Sequence, residues 1–380
     1  MKLKHVLPQA VIGALATGVM LLALTSYAMM SFQGQVPDDT GATTLIILGL
    51  AALSFTAGGF IAAYLSAKKA KDAADRALTS SALTGVVLAV GVGVLALLTA
   101  LMESGSMALA LLNVLVLSVA IGMTGVTLAT LGGLVYTFIA KGDSVILSSA
   151  KKGWKTYKKS PALLVPPFVF TFLLVGSAQL LETYPVEGEI GIALSAVGVL
   201  VGVLLAAFGI TSVVLAMQKK HSLKKLLKES IKKSRDVFFG LLAATLPPVL
   251  AATVFVAAIM LLPEYAELLA LFMPVVAAVV VLYMMAVSMV PQAILLSKKK
   301  TFGSLKDSYR VVRKNAALFI GLGGVIVLAT AFMELALVLV DFAVFAVGFD
   351  SAWITSWVSA SLNLVITASC LTGFYMGVKK

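Results

Sequence analysis

The residue of greatest chemical interest in this sequence is a carboxylate inside a long apolar stretch: Glu334, within residues 316–340. Charged groups inside a bilayer are costly and often mark ion or proton pathways. We place Glu334 about one or two helical turns below the outer surface. No basic residue lies in an apolar segment to pair with it, which argues against an ion-pair-gated proton pump. We favour a satisfied interfacial carboxylate; the alternative is a proton or cation site.

Prolines and glycines that interrupt helices form a second group. They fall in the first membrane helix of each of three repeats: Pro166, Pro167, Pro247, Pro248, Gly321, Gly323 and Gly324. Proline removes a backbone donor and clashes with the preceding turn, so each proline pair is predicted to kink or unwind its helix. Interrupted helices at matching repeat positions indicate a transporter cavity. The pairs lie at different depths, so kinks that only shape the bundle are favoured over a binding cavity.

The third group is cationic. The stretch KKHSLKKLLKESIKKSR, residues 219–235, has apolar residues at helical spacing among its lysines, which predicts an amphipathic helix. Beside a bilayer, lysines bind lipid phosphates for about 1 kcal/mol each. The predicted contacts to anionic headgroups are Lys224, Lys225, Lys228, Lys232, Lys155 and Arg310. Because the stretch joins two membrane segments, we expect no nucleic-acid partner.

Motifs for catalysis and metal binding are missing from the sequence. It has no G-x-S-x-G elbow, Walker A loop or HExxH helix. The single cysteine, Cys370, lies in an apolar run, and His5 and His221 lie among basic residues without ligand-like neighbours. We therefore expect a non-enzymatic protein without a metal or other cofactor.

Composition determines the class of protein. Hydrophobic residues make up 60% of the chain and charged residues 12%, and the mean hydropathy is +1.05. Soluble domains have about 45–50% apolar and about 25% charged residues. Apolar segments long enough to cross a bilayer as helices predict an all-α, polytopic transmembrane bundle of about ten helices: 6–30, 45–67, 82–102, 107–139, 161–181, 190–217, 238–262, 268–296, 316–340 and 352–378.

Charge predicts the orientation. All 29 lysines and arginines lie at the two termini and in alternate connections: 68–81, 141–160, 218–237 and 297–315. The remaining connections carry only acidic charge. The positive-inside rule then places both termini in the cytoplasm, with the protein in the cell membrane. The first apolar segment is long for a signal peptide, so we predict a retained helix.

The chain changes organisation near residue 141, and we divide it into domains 1–140 and 141–380. The first has four membrane helices, on which small residues every four positions predict close packing. The second has three repeats, each a cytoplasmic amphipathic interfacial helix followed by a transmembrane hairpin. The stripes predicted to face lipid or the bundle are Leu147, Ala150, Trp154 and Tyr157; Leu223, Leu226, Leu227 and Ile231; and Leu305, Tyr309 and Val312. Ser304 and Asp307 are predicted to form a capping box at the start of the third helix.

The three segments share a pattern, S-x-x-x-a-a-x-x-x-(K/R)-(K/R)-(N/S). Over about 144–340 this resembles a broad prokaryotic group of membrane proteins, which includes the membrane domain attached to some glycerophosphodiester phosphodiesterases. The stretch GGFIAAYLSAKKAKDAADRALTSSALTGVVLAVGVG is similar to small four-helix membrane families of archaea. The resemblance implies a helical membrane fold and carries over no catalytic residue, since the catalytic domain of those phosphodiesterases has no counterpart here.

These features favour a scaffold, assembly factor or accessory subunit that contacts the lipid bilayer and has a protein partner or forms a homo-oligomer. A permease for a small or hydrophobic solute is the alternative, supported by the repeats and the helix breaks. An intramembrane lipid-modifying enzyme is the least favoured interpretation. A permease predicts a polar, water-accessible cavity near the membrane midplane, bordered by Pro166, Pro247 or the glycines from Gly321 to Gly324.

Overall fold

The computed structural model describes residues 1, 3–32, 40–67, 72–102, 107–140, 144–183, 188–218, 222–262, 265, 272–345 and 352–379. The elements within these residues are helical. They are α1 (Leu7–Phe32), α2 (Thr40–Ala67), α3 (Ala73–Met102), α4 (Met107–Ala140), α5 (Val145–Lys159), α6 (Val165–Thr183), α7 (Gly188–Gln218), α8 (Leu223–Leu261), α9 (Met273–Val287), α10 (Val290–Ser297), α11 (Thr301–Lys314), α12 (Ala316–Phe345) and α13 (Ala352–Val378). Short 3-10 turns, Leu3–His5 and Pro161–Leu164, precede α1 and α6.

Ten helical spans in the described part of the chain are long and apolar enough to cross a membrane. The predicted all-α, polytopic bundle is therefore confirmed. Three elements differ from the sequence prediction. The helix predicted over 82–102 begins earlier, since α3 starts at Ala73 within the predicted basic connection. The segment predicted as one helix over 268–296 contains two helices, α9 and α10, and the second amphipathic segment continues without interruption into the following membrane helix as the 39-residue α8.

The chain divides into two compact units. Unit 1 comprises Met1–Ile146, Ala258–Val275 and Asn315–Leu328, and unit 2 comprises Leu147–Ala257, Val276–Lys314 and Ala329–Lys380. The division into domains 1–140 and 141–380 stays a prediction.

Unit 1 packs its helices backbone to backbone through glycines. A Cβ atom built on Gly59 of α2 would lie 2.1 Å from the carbonyl oxygen of Ala129 of α4. One built on Gly85 of α3 would lie 2.2 Å from the backbone nitrogen of Val126. Lipid provides no hydrophobic drive for helix association, so this close approach supplies the van der Waals contact that holds such helices together.

Within unit 1, the polar first half of α3 bonds the residues at which two later helices begin. The Asp75 carboxylate accepts hydrogen bonds from the Ser144 hydroxyl at 2.6 Å and from the backbone N–H groups of Val145 and Ile146 at 3.2 Å. These groups begin α5, whose first N–H groups have no partner inside the helix. Thr79 donates to the carbonyl oxygen of Ala317, at the start of α12, at 3.0 Å. Asp75 and Thr79 thus fix where α5 and α12 begin.

In unit 2, α7 lies between two apolar clusters. One contains Tyr157, Leu163, Val213 and Leu226, and the other contains Val214, Val237, Val290 and Ile294 among its members. Burial raises the pKa of the Tyr157 hydroxyl, on α5, above its ordinary value. The basic segments therefore pack on protein as well as facing outward.

The buried faces of the basic segments combine large apolar residues such as Leu226 with small or polar ones such as Ser149. On α5, the contact with α13 is made by Ser149 and Gly153, and a Cβ on Gly153 would lie 2.7 Å from the side chain of Ser369. Trp154 is 71% exposed and Ile231 is 58% exposed. The predicted stripe thus mixes buried residues with exposed ones, because small side chains, not large apolar ones, permit close helix contact.

Candidate functional site at a broken helix

The helix break lies between α9 and α10 in unit 2, at Ser288 and Met289. The backbone groups freed there are bonded by a side chain from α11. The buried Ser308 hydroxyl donates to the carbonyl oxygen of Ala286 at 2.7 Å and accepts from the backbone N–H of Met289 at 3.1 Å. Pro291 falls in the first turn of α10, where its missing N–H would have no helical partner anyway.

A cavity of about 340 Å³ adjoins this break. It is lined by residues of the break, α7, α10 and α13: Ile210, Ser288, Pro291, Gln292, Asn363, Leu364, Thr367, Ala368 and Leu371. Most of these side chains are apolar, and none carries a charge. Its volume lies in the range of small-molecule sites, which are mostly apolar with a few polar groups that orient the ligand.

Two polar atoms of the lining residues are buried without a hydrogen-bond partner among the described residues: Gln292 Oε1 and Asn363 Oδ1. An unpaired buried acceptor costs about 1–3 kcal/mol. Both are carbonyl oxygens, so each can accept a hydrogen bond and neither can donate one. A ligand that bonded either oxygen would have to supply an N–H or O–H donor.

Glu334 is linked to this cavity through Asn363. Glu334 Oε1 accepts from Asn363 Nδ2 at 2.8 Å and from the Ser359 hydroxyl. The carboxylate also lines a second, smaller cavity of about 160 Å³, together with Asp341, Thr355 and Ser359 among others. Polar side chains of α12 and α13 thus run from one cavity to the other.

A polar cluster joins the ends of α10 and α13 to α11. Lys379 Nζ lies 2.5 Å from Asp307 Oδ2, and the Tyr375 hydroxyl donates to the same oxygen at 2.5 Å. Ser297 Oγ lies 2.7 Å from Tyr375 Oη and accepts from Lys379 at 2.5 Å. Burial alone would raise the pKa of Asp307, but the hydrogen bonds from Lys379 and Tyr375 and the charge of Lys379 lower it below its ordinary value. Burial would lower the pKa of Lys379, but its bonds to Asp307 and Tyr375 raise it.

This cluster corrects the predicted capping box. The third basic helix, α11, begins at Thr301, so Ser304 lies inside it and donates to the carbonyl oxygen of Thr301 at 2.6 Å. Asp307 bonds to residues near the C-terminus instead. No local pattern indicates this pairing, because Lys379 is separated from Asp307 by two membrane segments.

The predicted helix-breaking residues lie elsewhere. Pro166 and Pro167 fall in the first turn of α6, and Pro247 and Pro248 lie within the uninterrupted α8, so neither pair unwinds its helix. In unit 1, Gly321 contacts Thr79 and Ile146, Gly324 contacts Ala82 and Thr130, and the Cβ position of Gly323 is open. None of these seven residues lines the cavity beside the break, and that cavity is mostly apolar. It is therefore not the polar cavity that the sequence predicts for a permease.

The predicted lipid contacts are all solvent-facing. Lys224, Lys225, Lys228, Lys232, Lys155 and Arg310 are exposed. Their binding to anionic headgroups stays a prediction.

We compared the sequence with family models, with curated proteins and with solved structures. None of the three comparisons finds a match to this chain. The resemblance to prokaryotic and archaeal membrane families therefore stays a prediction, and the case for function rests on the geometry of the site.

Proposed function

We propose that this integral membrane protein is a non-enzymatic permease that binds a small, mostly apolar solute beside the break between α9 and α10. The observation that carries the proposal is the pair of carbonyl oxygens without a partner among the described residues, on Gln292 and Asn363, two residues that line a mostly apolar cavity. Discontinuous helices form the substrate sites of many secondary transporters. Here the Ser308 hydroxyl bonds the backbone groups that the break leaves free, and the break adjoins the cavity of about 340 Å³.

The lining also defines the class of solute. Because the orphan atoms are acceptors, the solute needs at least one N–H or O–H donor. No lysine or arginine lines the cavity, which disfavours an anion. Glu334, bonded to Asn363, adds negative charge nearby, so a neutral or cationic solute fits best.

A scaffold, assembly factor or accessory subunit is the second candidate. It is supported by large aromatic side chains exposed among lysines on the basic helices: Phe302 is 83% exposed and Trp154 is 71% exposed. Tryptophan combines an apolar ring with a polar N–H and favours a boundary between apolar and aqueous surroundings, whereas Phe302 is wholly apolar and offers an exposed hydrophobic contact. Such residues would contact lipid headgroups or a partner subunit on the side predicted to be cytoplasmic.

Matched pairs of probes test the permease proposal. The members of each pair differ mainly in whether they carry a hydrogen-bond donor. The pairs are indole and 1-methylindole, phenol and anisole, and aniline and N,N-dimethylaniline. We expect purified protein in detergent to bind the donor-bearing member of a pair more tightly, by calorimetric titration. Replacing Gln292→Leu or Asn363→Leu should remove that preference, because each variant removes an acceptor.

The control variant is Gln9→Leu. Gln9 Oε1, on α1, is also buried without a partner among the described residues, but Gln9 does not line the cavity. Its replacement should leave donor preference intact. Uptake of tryptamine into proteoliposomes then distinguishes a permease from a protein that only binds. If all three variants showed the same preference for the donor-bearing probes, the proposal would be contradicted.

A further inference from the structure

A third cavity, larger than the two described above, lies between α8 and the connection from α10 to α11. Its volume is about 580 Å³, and its lining residues are Lys233, Asp236, Ile294, Leu295, Lys298, Lys299, Lys300 and Thr301. We call it the basic cavity. It contains none of the lysines that the sequence predicted as lipid contacts, and it does not depend on the proposed permease site.

The backbone brings three consecutive lysines to this cavity. α10 ends at Ser297, and the next residue, Lys298, has a left-handed conformation with φ of 53°. Its N–H and that of Lys299 both point to the carbonyl oxygen of Ala293. Glycine is the usual residue at such a helix end, since it alone adopts positive φ without steric cost. A lysine here accepts strain and adds a charge to the cavity.

The charges of the basic cavity are largely unneutralised. Four lysines face one lining carboxylate, that of Asp236. Lys233 lies 3.7 Å from Glu229, with both side chains partly exposed, and such exposed pairs are weak. Within the part of the chain described, Lys298, Lys299 and Lys300 make no ion pair. Ile294 and Leu295 give the same cavity an apolar side.

We propose that the basic cavity binds a phosphate group, with the ammonium groups of Lys233, Lys298 and Lys300 as donors. Lysine binds phosphate as a concentrated positive charge, and basic pockets between membrane helices bind anionic headgroups. The phosphate belongs either to a lipid headgroup, whose acyl chains would follow Ile294 and Leu295, or to a soluble phosphate compound. The shared chemistry is a multiply charged phosphate.

Calorimetric titration of the full-length protein in neutral detergent tests this proposal. The probes are dioctanoyl phosphatidic acid, dioctanoylglycerol as the phosphate-free lipid, and inorganic pyrophosphate. We expect the triple variant Lys233→Ala, Lys298→Ala, Lys300→Ala to bind the phosphate probe at least about tenfold more weakly than wild type. Lys299 is left in place because its charge also acts on Asp307.

The matched control is Lys151→Ala, Lys158→Ala, Lys159→Ala, which removes the same charge from exposed positions of α5 that neither line the cavity nor belong to the predicted lipid contacts. Its binding should stay within about threefold of wild type, as expected for exposed charges. The charge-conserving variant Lys233→Arg, Lys298→Arg, Lys300→Arg should bind as wild type does, which separates loss of charge from misfolding. Binding of phosphatidic acid without pyrophosphate supports a lipid source, and binding of both supports a soluble source as well. Equal losses in the two triple variants, or no binding of either phosphate probe by wild type, overturns the proposal.

Discussion

Asn363 donates its side-chain amide to Glu334 across 2.8 Å, and the same asparagine lines the cavity beside the broken helix. Ser359 donates to the same carboxylate oxygen. Both donors are neutral and lie on α13, so they bind α12 to α13 without a countercharge. A ligand that donates a hydrogen bond to Asn363 Oδ1 would therefore contact the same amide group whose Nδ2 donates to Glu334.

Two substitutions distinguish the role of Glu334 as a hydrogen-bond acceptor from the role of its charge. Glu334→Gln retains a carbonyl oxygen for Ser359 and Asn363, so its stability should stay close to that of wild type. Glu334→Leu leaves both donors without an acceptor and should lower the free energy of unfolding by about 1–3 kcal/mol. Denaturant unfolding in detergent measures the difference. Equal losses in the two variants would mean that the charge, and not the acceptor, is what the site requires.

Ser308 should be more important than its neighbour one turn earlier. Ser308→Ala removes the partner of Met289 N–H and Ala286 C=O at the helix break, and we expect a loss of about 1–3 kcal/mol. Ser304→Ala is the control, because Ser304 is equally buried but donates only to Thr301 in its own helix. Thermal unfolding of both variants compares them. A loss as large for Ser304→Ala would contradict a special role of Ser308 at the break.

Two glycines of α12 should respond oppositely to alanine. A Cβ on Gly321 would lie 2.7 Å from both Ile146 Cδ1 and Thr79 Oγ1, whereas one on Gly323 meets nothing within 4 Å. Overpacking costs about 1–3 kcal/mol, so Gly321→Ala should destabilise the protein. Gly323→Ala should be neutral or stabilising by about 0.4–1 kcal/mol, since alanine has less freedom in the unfolded chain. Thermal unfolding in detergent decides, and destabilisation by Gly323→Ala would contradict the open environment.

The Asp307–Lys379 pair should make stability depend on pH at both extremes. The pKa of Asp307 is lowered from 3.8, so its contribution is complete above that value and is lost as pH falls through the folded-state pKa. The pKa of Lys379 is raised from 10.5, so its contribution is complete below that value and is lost as pH rises through the folded-state pKa. Unfolding midpoints measured across pH should show a smaller acid-induced loss for Asp307→Asn than for wild type.

The same pair predicts a modest loss at neutral pH. Lys379 has a side chain 38% exposed, so solvent screening limits Lys379→Ala to about 1 kcal/mol. Lys306→Ala removes an exposed lysine from α11, next to Asp307 in sequence, and should change stability less. Similar losses for both lysines would contradict a specific pair.

Most of the fold is predictable because hydropathy is encoded locally. The predicted segment 107–139 corresponds to Met107–Ala140, and the segment 352–378 corresponds to Ala352–Val378. The break at Ser288 was missed because its freed backbone groups are satisfied by Ser308, nineteen residues after Met289. Proline gave a misleading signal, since a first-turn proline such as Pro166 costs no hydrogen bond.

The candidate site was less predictable than the fold. Sequence singled out Glu334 but not Gln292, because a neutral amide in an apolar run gives no sign of whether its partner is present. The sequence also does not indicate which residues of the basic helices pack on protein and which face lipid. In a membrane protein, large apolar side chains are satisfied by lipid, so the residues that pack on protein include small ones such as Gly153.

The continuity of α8 has a mechanical consequence. Its 39 residues form a rod about 58 Å long at about 1.5 Å per residue, roughly twice the thickness of a bilayer's hydrocarbon core of about 30 Å. The basic half has no hinge of its own, so its angle is that of the membrane half. A change in bilayer thickness alters the tilt of membrane helices, and through this rod it would also shift the height of Lys233 above the lipid surface.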